Sequence, residues 1–356
     1  MILLCLPSDI TEHRNNRINI MPHKRIEEID ILKGIGAFVM MTVHMVYVPH
    51  NGLADMMIIA VAWHFISLYF MLSGCTLDTA KRSVPRQYVN RLRYLLLPAV
   101  ITEAVIFAAG GVYCMFFHGY TPTDLIHDVT VMVLRPEICE QLFPEWGNGG
   151  LLYDLMSPSW FIWSLILTDI VFYPIARWCD DGRNNKRWWV AVVVCSVVQI
   201  PFYLSDYRLP WVAEVVPIFI VFCLIGTKIR TMGILEKEWK FSPPVTFLIA
   251  AVCFAAHFGL YCFGGDGNFY SGHFGTRGWI DIINVIAQLL VGSVGWYAVS
   301  KLIIRIRPVS AFLIWVGRRT VVFLLWHRVF GMVMSDILHT YIRSDQVSTG
   351  ILMKRA

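Results

Sequence analysis

Along this chain the apolar positions come in long runs rather than in alternation with polar ones. Nine segments, 31–49, 55–77, 95–117, 159–176, 188–204, 211–227, 243–262, 280–300 and 320–339, are predominantly Ile, Leu, Val, Ala, Phe and Trp. Each approaches the roughly 20 apolar residues an α-helix needs to cross the hydrocarbon core of a bilayer. A shorter apolar piece, 309–317, precedes the last of them. The pattern predicts an all-α fold: a polytopic integral membrane helix bundle of nine to ten transmembrane helices, with a tenth to be found in 118–158 or 309–317 if it exists. The stretch 118–158 is the longest non-spanning segment and carries an apolar run and a Gly-rich turn, which predicts a short helix lying over one mouth of the bundle. No internal repeat is visible, so the inverted-repeat pattern of many transporters is missing.

Charge sharpens the topology. Lys and Arg collect in alternate connections: Arg14, Arg17, Lys24 and Arg25; Lys81 to Arg93; Arg177 to Arg187; Lys228 to Lys240; and Lys301 to Arg307. The connections between them are short or acidic. The positive-inside rule then puts the N-terminus in the cytoplasm. Residues 1–25 read as an N-terminal tail, with Met21 the more natural start; 26–340 form the transmembrane domain and 341–356 a C-terminal tail. The chain is 56% hydrophobic and only 15% charged, too apolar for a soluble surface, and it lacks the basic and aromatic clusters that nucleic acid needs. Its nine cysteines include no CxxC pair, so no metal ribbon or thioredoxin-like site is expected.

The first apolar run carries the candidate chemistry. In "DILKGIGAFVMMTVH", Lys33 and His44 are eleven residues apart, about three full turns, so they share a helix face about 16 Å apart along the axis. Asp30 lies close to the same line. Lys33 therefore sits at the helix mouth and His44 deeper in the membrane. An ionisable residue at that depth is a functional candidate, and histidine is the usual general base near neutral pH. The plain alternative is a neutral histidine bonded to a backbone carbonyl between packed helices. His64 and His257 lie in different segments with no H-x3-H spacing, so no metal is expected there. Candidate partners to orient His44 are His64, Glu103, Asp169 and Glu214.

Several motifs, in order, resemble the acyltransferase 3 family of polytopic membrane enzymes. "R-x4-D-x2-KGI-x8-H" (Arg25, Asp30, Lys33 to Ile35, His44) is similar to the family's first helix, with its basic-x10-His spacing. "YFMLSGCTL" (Tyr69 to Leu77), "RQYVNRLRYLLLP" (Arg86 to Pro98), "SPSWFIWSLI" (Ser157 to Ile166) and "VGRRTVVFLLWH" (Val316 to His327) resemble its later elements. The likeness covers roughly residues 21–335. One departure stands out: the family usually has two arginines three apart after the second helix, where this chain reads Arg91-Leu92-Arg93-Tyr94.

The resemblance implies O-acyl transfer from cytoplasmic acyl-CoA, acetyl-CoA being the expected donor, to a sugar hydroxyl of a cell-surface or exported glycan, in the inner membrane of a bacterium. It makes His44 the catalytic residue, with Asp30, Lys33 and His327 in support and Arg91, Arg93 and Arg86 on the coenzyme A phosphates. The expected partners are a carbohydrate acceptor, acyl-CoA and the lipid bilayer, with no metal and no nucleic acid. His44 would act as general base or carry the acyl group itself. Two other classes fit the many helices: a glycan or lipid transporter or flippase, and a catalytically degenerate assembly protein.

Overall fold

A computed structural model describes residues 26–45, 53–77, 83–143, 149–156, 160–180, 185–205, 208–264 and 279–331. Both expected tails and the glycine-rich segment 265–278 lie outside these residues. No strand occurs among the described residues. The helices are α1 (Glu27–Met45), α2 (Leu53–Thr76), α3 (Val84–Arg91), α4 (Leu97–His118), α5 (Pro122–Leu134), α6 (Pro136–Leu142), α7 (Leu151–Met156), α8 (Trp160–Cys179), α9 (Asn185–Leu204), α10 (Val216–Thr231), α11 (Pro243–Gly264), α12 (Trp279–Ile303) and α13 (Arg307–Gly317), followed by α14 (Thr320–Gly331). Proline at the first turn starts α3, α5, α6, α10 and α13, where a missing N–H costs nothing and the fixed φ suits a helix.

Among the described residues six helices are long and apolar enough to cross a membrane, seven if α13 and α14, bent by 87°, count as one span. The nine to ten expected from sequence exceed this number. The first expected span is α1, whose first turns carry Glu27, Glu28, Asp30 and Lys33, which lowers its apolarity. In α2 the apolar helix over Ala60–Thr76 is shorter than these spans. The segments 309–317 and 320–339 form one broken unit, α13 and α14, rather than a separate stub and a straight span. The third span is longer than expected: α3, a π-helical turn at Leu92–Leu96 and α4 run together over Val84–His118.

The core is built on α2 and α10. α10 is buried on nearly every side from Ile218 to Gly226, as a helix surrounded by other helices must be. Gly74 of α2 lies against the Cys223 carbonyl, and Gly226 of α10 against the Met71 carbonyl. A Cβ at either would overlap backbone, so these glycines set the close crossing. The same device joins α1 to the α13 end, where Gly34 meets the Leu313 carbonyl and Gly317 the Asp30 carbonyl. α11 packs along α12, and α12 along α1 and α2.

The expected single short helix over one mouth is three helices, α5, α6 and α7. A capping box starts α5: the Thr121 amide donates to Asp124 Oδ2 at 2.7 Å while the Asp124 amide donates to Thr121 Oγ1 at 3.3 Å. The buried Asp128 carboxylate pins α7, accepting the Gly150 amide at 2.7 Å and the Tyr153 amide at 3.2 Å. Arg135 then anchors the layer by a buried ion pair to Glu214.

Candidate functional site

Helix starts and ends gather a basic cluster at the end of the bundle where α1 begins. Arg318, in the turn between α13 and α14, reaches Asp30 with Nε–Oδ2 of 3.5 Å. Lys301 of α12 pairs with Glu28 at 2.6 Å and lies over the Tyr297 ring. The Tyr69 hydroxyl donates to the Lys33 carbonyl at 2.8 Å, joining α2 to α1. Arg230 of α10 donates to the Cys75 carbonyl at 3.1 Å, and both Lys33 and Arg230 act electrostatically on Cys75. Asp30 is thus held by an arginine at the mouth of α1.

Arg91 is the hub of this end. Its Nη2 donates to Ser73 Oγ at 2.8 Å, Nε donates to the Tyr173 hydroxyl, and the same Nε lies 2.8 Å from Asp169 Oδ2. One guanidinium therefore ties α3 to the Ser-Gly end of α2 and to the middle of α8. Arg93 does not join it. Two residues are about 200° apart around a helix, and the π-helical turn begins between the two arginines. Arg93 is exposed, with its guanidinium 5.5 Å from the Tyr94 ring centre; Arg86 is exposed as well. The three arginines expected to act together thus divide into one inward anchor and two outward cations.

Deeper in the bundle, a cavity is lined by Met40 of α1, Ile66 and Tyr69 of α2, Trp160 and Phe161 of α8, and Leu324 and His327 of α14. His44 lies one turn beyond Met40 in α1, and successive turns put positions i and i+4 on one side of a helix. The His44 side chain lies outside the described part of the structure. His327 is buried, and its Nδ1 bonds the Leu324 carbonyl at 2.8 Å. A carbonyl only accepts, so Nδ1 is the donor and Nε2 is the position left for acid-base work. Tyr69 both lines the cavity and bonds the Lys33 carbonyl, which connects the cavity to the basic end.

Of the four residues considered as orienting partners of His44, three have polar partners of their own and the fourth has a ring contact. Asp169 pairs with Arg91. Glu103 accepts the Trp163 indole N–H at 3.1 Å. Glu214 pairs with Arg135 and accepts the Leu209 amide at 3.3 Å. His64 packs against His257, ring centres 5.0 Å apart. The roles of Ser73 and Tyr173 were not read from sequence. The signal for Asp169 was present: an acid inside an apolar run requires a cationic partner on another helix. Nothing in the sequence pointed from Arg135 to Glu214. No group of three or more His, Cys, Asp or Glu side chains able to hold a metal occurs among the described residues.

At the end opposite the basic cluster, the backbone is strained where α10 begins. Trp211 and Val212 hold φ of 57° and 59°, values that a β-branched valine rarely adopts. Ser164 Oγ donates to the Trp211 carbonyl at 2.7 Å and Gln199 Nε2 to the Glu214 carbonyl at 3.0 Å, which holds this turn in place.

No curated protein and no solved structure matches this chain. A family match does, to an acyltransferase domain over residues 26–353, nearly the whole chain. That span contains the Lys33-to-His44 helix, the Ser73–Arg91–Asp169 cluster and the cavity with His327. The chain is a multi-pass membrane protein and belongs to the acyltransferase 3 family.

Proposed function

We propose that the protein moves an acyl group, acetyl by expectation, from acyl-CoA to a sugar hydroxyl of an exported or cell-surface glycan, with His44 at the centre of the reaction. The observation that carries this reading is the cavity next to the His44 turn of α1. It is lined by a histidine, a tyrosine and a tryptophan, and tied through Tyr69 to the basic end. In this reading the basic end faces the cytoplasm, the membrane is the bacterial inner one, and α1 and α2 cross it with the longer helices, for nine to ten spans in all. Arg86 and Arg93, the outward cations, take the phosphates of coenzyme A, as guanidinium forks do. Arg91 holds α2, α3 and α8 in register beside them. Asp30 and Lys33 fix the mouth of α1.

In the general-base form of the reaction, His44 takes the proton of the acceptor hydroxyl. The oxygen attacks the thioester carbonyl, the C–S bond breaks, and the departing thiolate takes the proton from the imidazolium. In the acyl-histidine form, the imidazole attacks first and the sugar oxygen then displaces it. His327 lines the same cavity and supports either course. The reading calls for no metal.

Sealed proteoliposomes test it. Radiolabelled acetyl-CoA is supplied on one side only and a sugar acceptor on the other. Label on the sugar, dependent on His44 and on donor at the basic end, is the expected result. Acceptor crossing the membrane unmodified would show a transporter instead, and no transfer by a folded protein that still binds donor would show a degenerate one.

A further inference from the structure

Outside the cavity, two histidines are buried against one another in the middle of the bundle. His64 of α2 is 3% exposed and His257 of α11 is 5% exposed, and the rings meet edge to face. Neither ring nitrogen of His64 has a hydrogen-bond partner, and neither does Nε2 of His257. His257 Nδ1 bonds the Gln288 carbonyl at 3.1 Å, so that nitrogen is a donor, and the Ala60 carbonyl also lies against the ring. Unsatisfied ring nitrogens in an apolar place are costly, and such groups call for a function or an unseen occupant. The room for them is made by Gly292 of α12. A Cβ there would lie 2.6 Å from His64 Nδ1 and 3.1 Å from His257 Nδ1.

A polar stripe leads to the pair from the end of α12 opposite the basic cluster. Asp281, Asn284, Gln288 and Gly292 fall within about 80° of one another around α12 and span about 16 Å of its length. Asp281 and Asn284 are buried, and Asn284 Nδ2 donates to the Leu260 carbonyl of α11 at 3.2 Å, leaving its buried Oδ1 without a partner. One turn past Gly292 the stripe ends in an aromatic plug. Trp296 packs on Phe65 at 4.8 Å and on Phe254 at 4.9 Å between ring centres. The path is open in chemical character on one side of the pair and apolar on the other.

We propose that His64 and His257 form a single proton-binding site inside the membrane, reached from the end opposite the basic cluster along the polar stripe of α12. The two rings lie too close for both to be charged, so the pair takes up one charge rather than two. Charged groups on the surrounding elements sit at the ends: Asp281 with Tyr203 of α9 at one, and Lys301 with Glu28, Asp30, Lys33 and Arg230 at the other. Cys253, Tyr261 and Cys262 are the remaining titratable groups on α11. Among the described residues no carboxylate lies beside the rings to offset a divalent metal, and two neutral imidazoles take one added charge more readily than two. In the acyl-histidine form of the transfer the thiolate leaves before the acceptor hydroxyl gives up its proton, which gives such a site a use; that use rests on the acyl-transfer reading, and the site itself does not.

The test is a pH titration by NMR of protein labelled with 15N-histidine in lipid nanodiscs, with no donor or acceptor present. His64→Gln and His257→Gln assign the two signals. The expected result is that both imidazoles move in one coupled transition, that removing either shifts the midpoint of the other, and that Gly292→Ala, which keeps both rings but crowds them, shifts it as well. Two imidazoles that titrate independently, or that stay fixed across the whole accessible range in the folded wild-type protein, would overturn the proposal. So would a stoichiometric metal that co-purifies with wild type and is lost from His64→Gln.

Discussion

Arg91 offers the most direct perturbation of the packing proposed to position the donor side. Its guanidinium meets Ser73, Tyr173 and Asp169, and the Asp169 side chain is only 2% exposed. Breaking a buried ion pair by removing one partner costs about 3–5 kcal/mol, because the other charge stays buried and unpaired. The Arg91 side chain is 34% exposed, so solvent screens part of this and the lower end applies, about 3 kcal/mol for Arg91→Ala. Removing Asp169 leaves a cation that can reach solvent, so Asp169→Ala costs less, about 1–2 kcal/mol. The double variant removes both charges, and its loss falls short of the sum by about 2 kcal/mol. Arg91→Lys keeps a charge for Asp169 but loses the fork that also holds Ser73 and Tyr173, and lies between wild type and Arg91→Ala. Equilibrium unfolding in mixed micelles measures all four. Additive losses, or an Arg91→Ala variant as stable as wild type, would refute the hub.

Other consequences follow from separate parts of the fold. Arg93→Ala is exposed and leaves stability within about 0.5 kcal/mol of wild type, while raising the donor KM in an acyl-CoA assay; an unchanged KM argues against a phosphate contact. Gly317→Ala forces a Cβ onto the Asp30 carbonyl and destabilises by about 1–3 kcal/mol, read as a lowered unfolding midpoint. Arg135→Ala strands the buried Glu214 carboxylate and exposes the α5–α7 layer to limited proteolysis at a protease dose that leaves wild type intact. The Thr121 amide and hydroxyl hold the Asp124 carboxyl below its ordinary range. A depressed carboxyl contributes stability above its unfolded value and loses it as pH falls through the folded one. The protection of the Thr121 amide, its exchange rate corrected for the intrinsic pH dependence, is therefore expected to fall in acid, and Asp124→Asn to weaken that dependence.

What the sequence made legible was what depends on one helix at a time. Long apolar runs located eight of the helices, because a spanning helix needs little beyond length and apolarity. The spacing from Lys33 to His44 was readable because helix geometry is fixed. The connection of α3 to α4 through a π-helical turn was not readable, since one extra residue per turn leaves no mark on an apolar run, and it separates Arg91 from Arg93. Partner choice was also hidden. Asp169 was one of four candidate partners of His44, and nothing local shows that α3 brings Arg91 to α8. The bend between α13 and α14 was concealed in the same way, for its apolar residues read as one stub and one straight span. The crossing glycines Gly34 and Gly317 meet only in three dimensions.

The central claim is that this fold performs acyl transfer through His44. The measurement that tests it most directly is thiol release from acetyl-CoA by the purified full-length protein with a cell-wall sugar extract, wild type beside His44→Ala and His327→Ala. Loss of turnover in His44→Ala, with an unfolding midpoint like that of wild type and a smaller loss in His327→Ala, is the predicted result. Equal turnover in wild type and His44→Ala would contradict it.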